Sequence, residues 1–569
     1  MKYIIDLIQL LNIQQKKILL LFIPLTLILI ILETFSIGLI IPIITSVLGD
    51  NQSMSLNVRI EKYLKYFFEN LTILNLCIII ISVFFAKNIF FSLYNLYLFK
   101  FSNSIQLRLS KSLLRVYIST PYLKILHKDS AEMLRNLQSE CAKVRNAIRY
   151  SIILFSETLV LLSIIFLIIL VDVKSATSVI IYLFSIIIFY FLIFKNLVVK
   201  LGFQNQKVNR IVIKSILETV ESSRLIRILS NQKFFLNKYD SQLKKFLRNN
   251  VFVSFMNLLP RVWIEIFVII GICILIYFLT NSNFDKNYVI VYIGLISFAL
   301  IRIIPSIMRI SNSYQQLRYT TASVEKIKND LNLKKFINKD GKMIKNFSKS
   351  LILSNVSFSY KETDKEILKN INLSIKKNEC ILIKGESGSG KTTLVNIISG
   401  LIKPNKGNFL LDDQEIDFEN IKWGGNLGYV AQDTFVLDDE IKANIAFGIE
   451  EENINLDKVN EVIDQVQLRS YIDTLNEGIY TTVGERGARI SGGQAQRLGI
   501  ARALYREPNI LIFDEATSSL DKENERKIYE ILNKMKKSLT IIVISHNPID
   551  TLNFDKRYEL KNGNLTTIQ

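Results

Sequence analysis

Cysteine is scarce in this sequence, with only four in 569 residues. Cys77, Cys141, Cys273 and Cys380 are scattered, without the spacing of a metal site or of a disulfide framework. Cys77 and Cys273 also lie in apolar runs. We therefore expect four reduced, structural thiols, which excludes a disulfide-stapled fold and a cysteine-based metal centre.

The opening segment lacks the pattern of a cleaved secretory signal. Residues 1–17 are too polar for the hydrophobic region of such a signal and carry no small-residue cleavage site. We expect instead an amphipathic helix that lies at a membrane interface and leads into a first span. An internal repeat is also missing from the sequence, so the chain is predicted to supply one half of a two-part assembly.

Acidic residues are too few to balance the basic ones. The chain has 70 Lys and Arg against 51 Asp and Glu, a net charge of +19, which can indicate a nucleic acid or a membrane as partner. Residues 100–149 hold ten Lys or Arg and residues 200–250 hold eleven, whereas segments 49–70, 171–175 and 280–287 together hold five. The positive-inside rule then places the basic loops and both termini in the cytoplasm. We expect a membrane protein that does not bind nucleic acid.

Long hydrophobic runs concentrate before about residue 310, and hydrophobic residues make up 49 % of the chain. Six segments have the roughly 20 apolar residues that a membrane-crossing helix needs. They are residues 18–48, 71–99, 148–171, 176–199, 251–280 and 287–310. The two inner connections are about 50 residues each, too long for simple turns, so we expect helices that continue far into the cytoplasm. Their tips are predicted near 121–127 and 221–233.

From residue 351 short β-branched runs alternate with helical stretches. This alternation predicts an α/β domain with a largely parallel sheet. The predicted fold class is therefore an α-helical six-span membrane domain followed by an α/β domain. We place the membrane domain at 1–320, a linker at 321–349 and the α/β domain at 350–569.

A glycine-rich loop follows the strand-forming run 381–383 and precedes a helical run. The predicted nucleotide-binding residues in this segment are Gly385, Glu386, Ser387, Gly388, Ser389, Gly390, Lys391, Thr392 and Thr393. Backbone N–H groups of such a loop cradle phosphate oxygens at a helix N-terminus. Lys391 is predicted to reach the outer phosphates, and the Thr392 hydroxyl is predicted to bind magnesium. ATP and Mg²⁺ are therefore the predicted cofactors of this P-loop.

Two acids, Asp514 and Glu515, end the apolar strand-forming run 510–513. An apolar strand of this kind delivers Asp514 to the magnesium ion, and Glu515 is placed to polarise the attacking water. The alternative is a strand that ends in two solvated carboxylates. The presence of Lys391 in the same chain favours the catalytic interpretation.

The segment Ser491-Gly492-Gly493-Gln494 opens a helix and precedes Asp514 by 23 residues. It resembles the signature of ABC transporter ATPases, with Ile490 where most members have leucine. A second helix N-terminus of this type can grip the γ-phosphate of a nucleotide bound to another subunit. The resemblance therefore implies an ABC ATPase domain that acts as a dimer with a second half-transporter, expected to be an identical chain.

Three further positions take roles from this resemblance. Tyr360 resembles the aromatic residue that stacks on adenine, and Gln432 resembles the glutamine that senses magnesium and the membrane domain. His546 resembles the switch histidine that contacts the γ-phosphate. The predicted catalytic residues are then Glu515, His546 and Lys391. The predicted metal ligands are Thr392, Gln432 and Asp514.

Ionisable side chains inside membrane spans are costly and usually face a cavity or a partner. In the predicted spans they are Glu33, Lys87, Glu157, Arg261, Glu265, Arg302 and Arg309. Arg261 and Glu265 are four residues apart, so an ion pair and a cavity function are equally open. The other three cations have no acid at such spacing. Arg302 and Arg309 are seven residues apart and therefore lie on nearly the same face of a helix. Lys87, Arg261, Arg302 and Arg309 are the predicted substrate-cavity residues, a basic belt suited to a phosphate or pyrophosphate.

The sequences around these charges resemble the flippases of bacterial N-glycosylation. The similar segments are 33–37, 260–265 and 299–309, with Lys87 where that pattern suggests arginine. The resemblance implies ATP-driven flipping of a polyprenyl-pyrophosphate-linked oligosaccharide to the outer leaflet of a bacterial inner membrane. One alternative is a general lipid, drug or peptide exporter in which the cavity charges form ion pairs. Another is a membrane-anchored ATPase that gates or signals without cargo.

Overall fold

The computed structural model describes residues 2–39, 73–126, 128–171, 200–280, 286–333, 342–344, 347–360, 366–416, 421–484, 487, 489–517, 520–546, 549 and 551–568. The chain forms two compact units. The helical unit comprises Met1–Thr120 and His127–Lys335, and the α/β unit comprises Pro121–Leu126 and Phe336–Gln569. The boundary between the two units falls inside the predicted linker.

The helical unit is built mainly from long helices. Its elements are α1 (Lys2–Gln9), α2 (Ile13–Gly38), α3 (Ile73–Ser119), α5 (Ser130–Arg135), a π-helical turn (Asn136–Glu140), α6 (Cys141–Val171), α7 (residues 200–221), α8 (Ser223–Ile228), α9 (Gln232–Thr280), α10 (Lys286–Tyr319) and α11 (Thr321–Leu331). The short helix α4 (Tyr122–Leu126), which follows α3 in the chain, belongs to the α/β unit.

Four stretches of the described helices are long and apolar enough to cross a membrane. They are Ile13–Gly38, Leu74–Ser119, Ser130–Ile169 and Gln232–Gly271. α10 covers the predicted sixth span, and the predicted fourth span, 176–199, lies outside the described residues. The 47 residues of α3 make a helix of about 70 Å, more than twice the thickness of a bilayer core. The expected extension of helices beyond the membrane is therefore present in α3.

The first two helices follow from local sequence signals. In α1 the side chains of Leu7, Leu10 and Leu11 are buried and those of Ile5 and Ile8 are exposed, as an amphipathic helix and its C-terminal continuation require. α2 begins with a capping box, in which the Asn12 side chain accepts the Gln15 backbone N–H and the Gln15 side chain accepts the Asn12 N–H. This cap separates the amphipathic helix from the spanning helix.

The α/β unit contains strands β1 (Lys342–Met343), β2 (Ser350–Ser359), β3 (Glu366–Lys376), β4 (Cys380–Lys384), β5 (Lys406–Leu411), β6 (Gln414–Glu415), β7 (Ile421–Lys422), β8 (Leu427–Val430), β9 (Ile510–Asp514), β10 (Thr540–Ser545), β11 (Lys556–Lys561) and β12 (Asn564–Ile568). Its helices besides α4 include α12 (Lys391–Ile398), α13 (Ile441–Ile445), α14 (Leu456–Gln465), α15 (Arg469–Ile472), α16 (Gly492–Leu504) and α17 (Lys522–Met535).

The main sheet has the strand order β12-β11-β4-β10-β9-β8, and every pair in it is parallel except β11 with β12. An antiparallel sheet, β3-β2-β5-β6, forms a second layer. Alternate residues of β9 enter different cores: Leu511 and Phe513 join one hydrophobic cluster, and Ile510 and Ile512 join the other. Both faces of the parallel sheet are therefore covered, which is why its strands read as continuous apolar runs.

The α4 segment packs within the α/β unit. The Leu123 side chain contacts the hydrophobic cluster that contains β2 and β4. Tyr122 lies close enough to Tyr429 on β8 to contribute to the raised pKa of the Tyr429 phenol, whose main cause is burial. One predicted tip, near 121–127, is thus part of the same compact unit as the parallel sheet.

Candidate functional site: a phosphate-binding loop and buried intramembrane charges

The carboxyl ends of three adjacent strands meet at one edge of the parallel sheet. β10 pairs in parallel with both β4 and β9, so that Ser545 lies beside Lys384 and Ile544 lies beside Asp514. The chain leaves these strands into the glycine-rich loop, Glu515 and His546. Ligands of open α/β sheets bind at this edge. Three segments far apart in sequence are therefore brought together by the strand order alone.

The glycine-rich loop has backbone conformations that favour glycine. Gly388 has φ +81° and Gly390, which caps α12, has φ +108°. A Cβ at Gly388 would meet no atom within 4 Å, whereas one at Gly390 would press on Ile367 and Leu368. The space above Gly388 is open, as the binding of an anion by the backbone N–H groups of the loop would require. The loop therefore has the shape of a phosphate cradle at the start of α12.

Ser389 supplies a second indication that the loop is built for a ligand. Its hydroxyl oxygen is buried and has no hydrogen-bond partner among the described residues. An orphaned hydroxyl costs free energy unless something binds it. A phosphate oxygen held by the loop is a suitable partner, so the residues present fit the nucleotide that the sequence predicts.

The Lys391 side chain is buried and turned toward the loop and the sheet edge. Its Nζ donates hydrogen bonds to the carbonyl oxygens of Gly385, at 2.9 Å, and Glu386, at 3.0 Å. The same Nζ lies 3.0 Å from Oε1 of Glu515. The ammonium is therefore fully coordinated, and its position at the N-terminus of α12 is the one from which it can reach phosphates.

Glu515 lies between the lysine and the histidine. Its other carboxylate oxygen, Oε2, is 3.7 Å from Nδ1 of His546. The residue has the unusual φ of +48°, and its N–H donates to the Ile544 carbonyl at 3.0 Å. That left-handed backbone turns the side chain away from the direction the strand would have given it. The predicted catalytic residues Lys391, Glu515 and His546 form one contiguous group.

Asp514 is more deeply buried than Glu515. Burial raises the pKa of its carboxyl above the usual range, although a hydrogen bond from Tyr429 and the charge of Lys391 oppose that shift. The Tyr429 hydroxyl donates to Oδ2 of Asp514 at 3.1 Å. Burial makes the ionised form of this carboxylate unfavourable, and a bound cation would offset that cost. Asp514 therefore fits the predicted magnesium ligand, with the exposed Thr392 at the start of α12 as the other predicted side-chain oxygen.

The signature segment caps α16. The Ser491 Oγ accepts the Gln494 N–H at 3.3 Å, and the Gln494 Oε1 accepts the Ser491 N–H at 2.8 Å, a capping box. This cap uses Ser491 only as an acceptor, so its O–H can still be donated to a phosphate oxygen. Ser491 and Gly492 are exposed, and Gly493 is buried against Asn524 on α17. The contacts of this segment connect it to α17 rather than to the Lys391 group.

Gln496, one turn into α16, links the signature helix to the loop that holds Gln432. Its Nε2 donates to the Gln432 carbonyl at 2.6 Å, and its Oε1 accepts the Thr434 hydroxyl at 3.0 Å. Gln496 is buried. The predicted magnesium-sensing loop and the predicted signature are therefore joined through one side chain.

The predicted adenine platform is ordered by its neighbours. The Tyr360 ring makes an edge contact with Phe358, with ring centroids 4.9 Å apart, and its hydroxyl lies 3.4 Å from the Thr393 hydroxyl. Thr393 belongs to the helix that follows the phosphate loop. Tyr360 is thus held next to the loop, where an aromatic face can stack on a base.

The charged side chains of the predicted spans form two clusters. Glu33 on α2 is 4 % exposed and lies between Lys87 on α3, at 2.9 Å, and Arg302 on α10. Arg309 on α10 pairs with Glu157 on α6 at 2.7 Å. Lys87, Arg302 and Arg309, which have no acid at helical spacing, are thus partnered by carboxylates from other helices.

Arg261 stands apart from these clusters. It pairs with Glu265 on its own helix at 2.9 Å, and both side chains are about half exposed or more. Of the two interpretations that the sequence leaves open for this pair, the ion pair is present in the structure. The four predicted cavity residues therefore do not form one continuous belt among the described contacts.

Two positions that contact predicted site residues are not identified by sequence patterns. Tyr429 lies on β8, directly beside β9, and only that strand pairing places its hydroxyl on Asp514. Gln496 lies in the signature helix, but its link to Gln432 requires the fold. One local sequence feature hints that Gln496 has a specific partner: it is a polar residue on the apolar face of α16.

Two family profiles match the chain. The profile described as the ABC transporter transmembrane region covers residues 19–303, and the profile described as ABC transporter covers residues 368–518. The second range contains Lys391, Ser491 and Glu515, and the first contains Glu33 and Arg302. Both matches agree with the two units of the structure.

Several curated proteins are similar in part. The heterocyst differentiation ATP-binding protein HepA of Nostoc sp. is 37 % identical over 272 residues, 47 % of this chain and 44 % of that protein. A multidrug resistance ABC transporter ATP-binding and permease protein of Lactococcus lactis is 31 % identical over 47 % of this chain and 45 % of its own. The ATP-dependent lipid A-core flippase of Cupriavidus metallidurans is 37 % identical over 37 % of this chain and 36 % of its own. The match spans less than half the length of each.

A solved structure is similar over nearly the whole chain. A bacterial Atm1-family ABC exporter with ATP bound superposes with a TM-score of 0.77 and covers 96 % of this chain and 95 % of its own, at 18 % sequence identity. The likeness shows the fold, a helical transmembrane domain followed by a P-loop ATPase domain. The predicted fold class is confirmed.

Proposed function

The chain belongs to the ABC transporter family, and on this basis we propose that it is one half of an ATP-driven exporter that flips a polyprenyl-pyrophosphate-linked oligosaccharide from the inner to the outer leaflet. Its proposed location is the inner membrane of a bacterium, with the ATPase domain in the cytoplasm. The fold of an exporter half implies a dimer, and an identical chain is the proposed partner.

The proposed ATPase chemistry uses the group at the sheet edge. Bound ATP would be held by the loop 385–393 and Tyr360, and magnesium by Thr392, Asp514 and Gln432, supplying charge neutralisation at the phosphates. Glu515 orients the attacking water and accepts its proton, while His546 fixes the other side of that carboxylate. Ser491 and Gly492 are exposed, as residues that contact the nucleotide of a partner subunit must be in a single chain. Hydrolysis then resets an alternating-access cycle.

The observation that carries the proposed cargo is the charge balance in the spans. Lys87, Arg302 and Arg309 face only two carboxylates, Glu33 and Glu157, in the described contacts. Among these described contacts the surplus is one positive charge. A positive charge in excess of the carboxylates around it is costly in a membrane, so an anionic group is the natural complement.

Unpaired donors on α10 point the same way. Nε of Arg302, Nη2 of Arg309 and the hydroxyl of the fully buried Ser306 have no hydrogen-bond partner among the described residues. These three residues recur at helical spacing on one helix. A pyrophosphate offers several acceptor oxygens and two or more negative charges, and bidentate arginine contacts suit it. Some of the similar proteins are named ATP-dependent lipid A-core flippases, which is consistent with a lipid-linked cargo.

A general lipid, drug or peptide exporter is the second candidate. The observation in its favour is that every predicted cavity cation has an acid partner, as purely structural ion pairs would have. In that case the charges hold helices together and do not select an anion. The similar multidrug exporters agree with this alternative.

ATPase activity in lipid nanodiscs distinguishes the two. The purified chain is assayed with and without an undecaprenyl-pyrophosphate oligosaccharide, beside Arg302→Ala, Arg261→Ala and Glu515→Gln. The proposed flippase requires stimulation by the glycolipid that is lost in Arg302→Ala and retained in Arg261→Ala, because only Arg302 belongs to the buried cluster. Glycolipid-independent activity that Arg302→Ala leaves unchanged would instead support the general exporter. Activity that survives Glu515→Gln would contradict the assignment of the catalytic base.

A further inference from the structure

A buried acid, Asp330, lies near the end of α11, the helix that precedes the ATPase domain in the chain. It is 4 % exposed. Its Oδ2 accepts a hydrogen bond from the Tyr117 hydroxyl at 2.5 Å and another from Asn136 Nδ2 at 2.9 Å. Its Oδ1 lies 3.0 Å from the Lys128 ammonium. One carboxylate is thus satisfied by three different segments of the helical unit.

The three partners flank helix α4 in the sequence. Tyr117 is in the last turn of α3, just before α4, and Lys128 and Asn136 follow it. Lys128 also lies over the Tyr117 ring, 4.9 Å from its centroid. Both stems that lead into and out of α4 are therefore tied to the same carboxylate. α4 itself packs with the ATPase core through Leu123.

Asn136 reaches Asp330 from an irregular helix. It begins the π-helical turn Asn136–Glu140, and its side chain is fully buried. π-helical turns are rare and are frequently found at functional sites. Here the turn aims Asn136 at Asp330 and Tyr117, to which Nδ2 also donates at 3.1 Å.

The same turn places a second buried acid, Glu140, toward α7 and α6. Glu140 Oε1 is 3.0 Å from Lys143 Nζ, and its Oε2 accepts Gln206 Nε2 at 3.1 Å. Arg135 links the hydrogen-bond partners of the two acids, since it donates to Asn136 Oδ1 at 3.0 Å and to the Gln206 carbonyl at 2.9 Å. A continuous polar network therefore runs from α11 through both stems of α4 to α7.

We propose that Asp330 is a positioning residue that couples the nucleotide state of the ATPase domain to the membrane helices. A hydrophobic core of the same volume would hold these helices together at least as well, because buried charges carry a desolvation cost. A network of directional hydrogen bonds differs in having discrete alternative arrangements, which is what a two-state coupling element needs. α11 and the stems of α4 are the two chain connections between the helical unit and the ATPase domain that meet at this carboxylate. This inference rests on the proposed coupling of hydrolysis to transport and is independent of the cargo.

The test uses the full-length chain in nanodiscs with Glu515→Gln as the parent, so that Mg·ATP binds and is not hydrolysed. Amide hydrogen exchange is measured with and without Mg·ATP in two regions. Peptides around 385–400 report nucleotide binding, and peptides from the helix stems at 100–119 and 141–150 report the response of the helical unit. The variants are Asp330→Asn, Tyr117→Phe and the exchange variant Asp330→Asn with Asn136→Asp. Asp240→Asn, which breaks an exposed pair with Lys244 on α9, is the control.

The proposal requires that Asp330→Asn keeps the ATP-dependent protection at 385–400. It also requires that Asp330→Asn reduces the ATP-dependent change in amide exchange in the stems by about fivefold or more, the lower end of the factors typical of coupling between two sites. Tyr117→Phe reduces it in the same direction, and the exchange variant restores it by returning one carboxylate and one amide to the cluster. A merely structural role would raise exchange without ATP and leave the ATP-dependent change intact.

A full stem response in both Asp330→Asn and Tyr117→Phe would overturn the proposal, as would an equal loss in Asp240→Asn. If Asp330→Asn does not fold, Tyr117→Phe decides alone, because it removes one oxygen and keeps the ring. Failure of the parent itself to protect 385–400 with Mg·ATP would instead contradict the proposed function.

Discussion

The ammonium of Lys391 and the carboxylate of Glu515 form an ion pair of 3.0 Å at the edge of the parallel sheet. In this arrangement each residue satisfies the other's charge at a site where phosphate and water are expected to bind. A nucleotide phosphate competes with Glu515 for the ammonium, since both are anions. Release from Lys391 would leave the glutamate free to act on water while His546 still flanks it.

Glu515→Gln is therefore expected to stop hydrolysis while leaving nucleotide binding intact. The amide cannot accept the proton of the attacking water, and loss of a general base typically lowers kcat by about 100-fold or more. Lys391 keeps its bonds to the Gly385 and Glu386 carbonyls, so the loop stays folded. Phosphate release and equilibrium binding of Mg·ATP are measured on the same nanodisc preparation.

The matched control for this change is Glu530→Gln. Glu530 lies on α17 and forms an exposed pair with Arg526. Its substitution is expected to leave kcat within about twofold, since exposed pairs contribute little. Loss of ATP binding together with activity in Glu515→Gln would contradict the catalytic role and indicate a damaged loop.

Asp514→Asn is expected to stabilise the nucleotide-free protein at neutral pH. Burial raises the pKa of Asp514 in the folded chain above its unfolded value, so the folded state binds this proton more tightly. The favourable contribution is complete below the unfolded pKa and is lost as pH rises through the folded pKa. Above that range the ionised carboxylate destabilises the fold, and a neutral amide removes this effect. Thermal unfolding between pH 4 and 8 measures it.

Asp412→Asn is expected to change the unfolding temperature in the opposite direction to Asp514→Asn. Burial alone would raise the pKa of Asp412, but the N–H groups of Ser348, Lys349 and Ser350 outweigh it and lower that pKa. Its ionised form stabilises the fold above the unfolded pKa, and this stabilisation is lost as pH falls through the folded pKa. Asp412→Asn should therefore lower the unfolding temperature at neutral pH. Shifts of the same sign in both variants would refute the assigned role of burial at Asp514.

The candidate nucleotide site could be predicted from sequence because each of its parts is a local pattern. Lys391, Glu515 and His546 each follow a strand-forming run, and parallel strands bring their carboxyl ends to one edge. The sequence pattern therefore identifies these three residues, and the observed strand order β4-β10-β9 brings them into contact. Sequence pattern does not predict the Tyr429 bond to Asp514, because that bond depends on which strand lies beside β9.

The intramembrane charges show what local spacing cannot predict. The sequence indicates no acid for Lys87, Arg302 or Arg309 at helical spacing, yet Glu33 and Glu157 reach them from other helices. Such pairings depend on helix packing, which the apolar runs leave undetermined. The π-helical turn that contains Asn136 likewise has no local sequence pattern that predicts it.

Gln496→Leu is expected to weaken the link between the signature helix and the Gln432 loop. The change removes the hydrogen bonds of Gln496 to the Gln432 carbonyl and the Thr434 hydroxyl, each worth about 0.5–1.5 kcal/mol. Because Gln432 is a predicted magnesium ligand, the KM for Mg·ATP should rise by about tenfold, equivalent to about 1.4 kcal/mol. Thermal unfolding and steady-state kinetics measure both effects.

A double-mutant cycle with Thr434→Val checks the cause. Two substitutions that remove the same hydrogen bond should be less than additive, by about 0.5 kcal/mol or more. Gln465→Leu, on the exposed face of α14, serves as the control and should change neither quantity. Full additivity between Gln496→Leu and Thr434→Val would show that the two side chains act independently.

Glu33→Gln tests whether the buried cluster is a structural ion pair or a site kept for an anion. The change leaves Lys87 and Arg302 facing each other without a carboxylate, and breaking a buried pair from one side costs about 3–5 kcal/mol. The unfolding temperature in nanodiscs should fall accordingly. Glu265→Gln, in the exposed pair with Arg261, should cost about 1 kcal/mol or less.

The two proposed functions predict different ways of restoring the stability of the Glu33→Gln variant. In a flippase with an anionic cargo, the glycolipid pyrophosphate replaces the lost carboxylate, so it should raise the unfolding temperature of Glu33→Gln more than that of the unmodified chain and stimulate hydrolysis at lower concentration. In a general exporter the two cations have no natural ligand, and only a second neutral substitution, Lys87→Met, should recover stability. Recovery by Lys87→Met with no response to the glycolipid would therefore assign the cluster to helix packing alone.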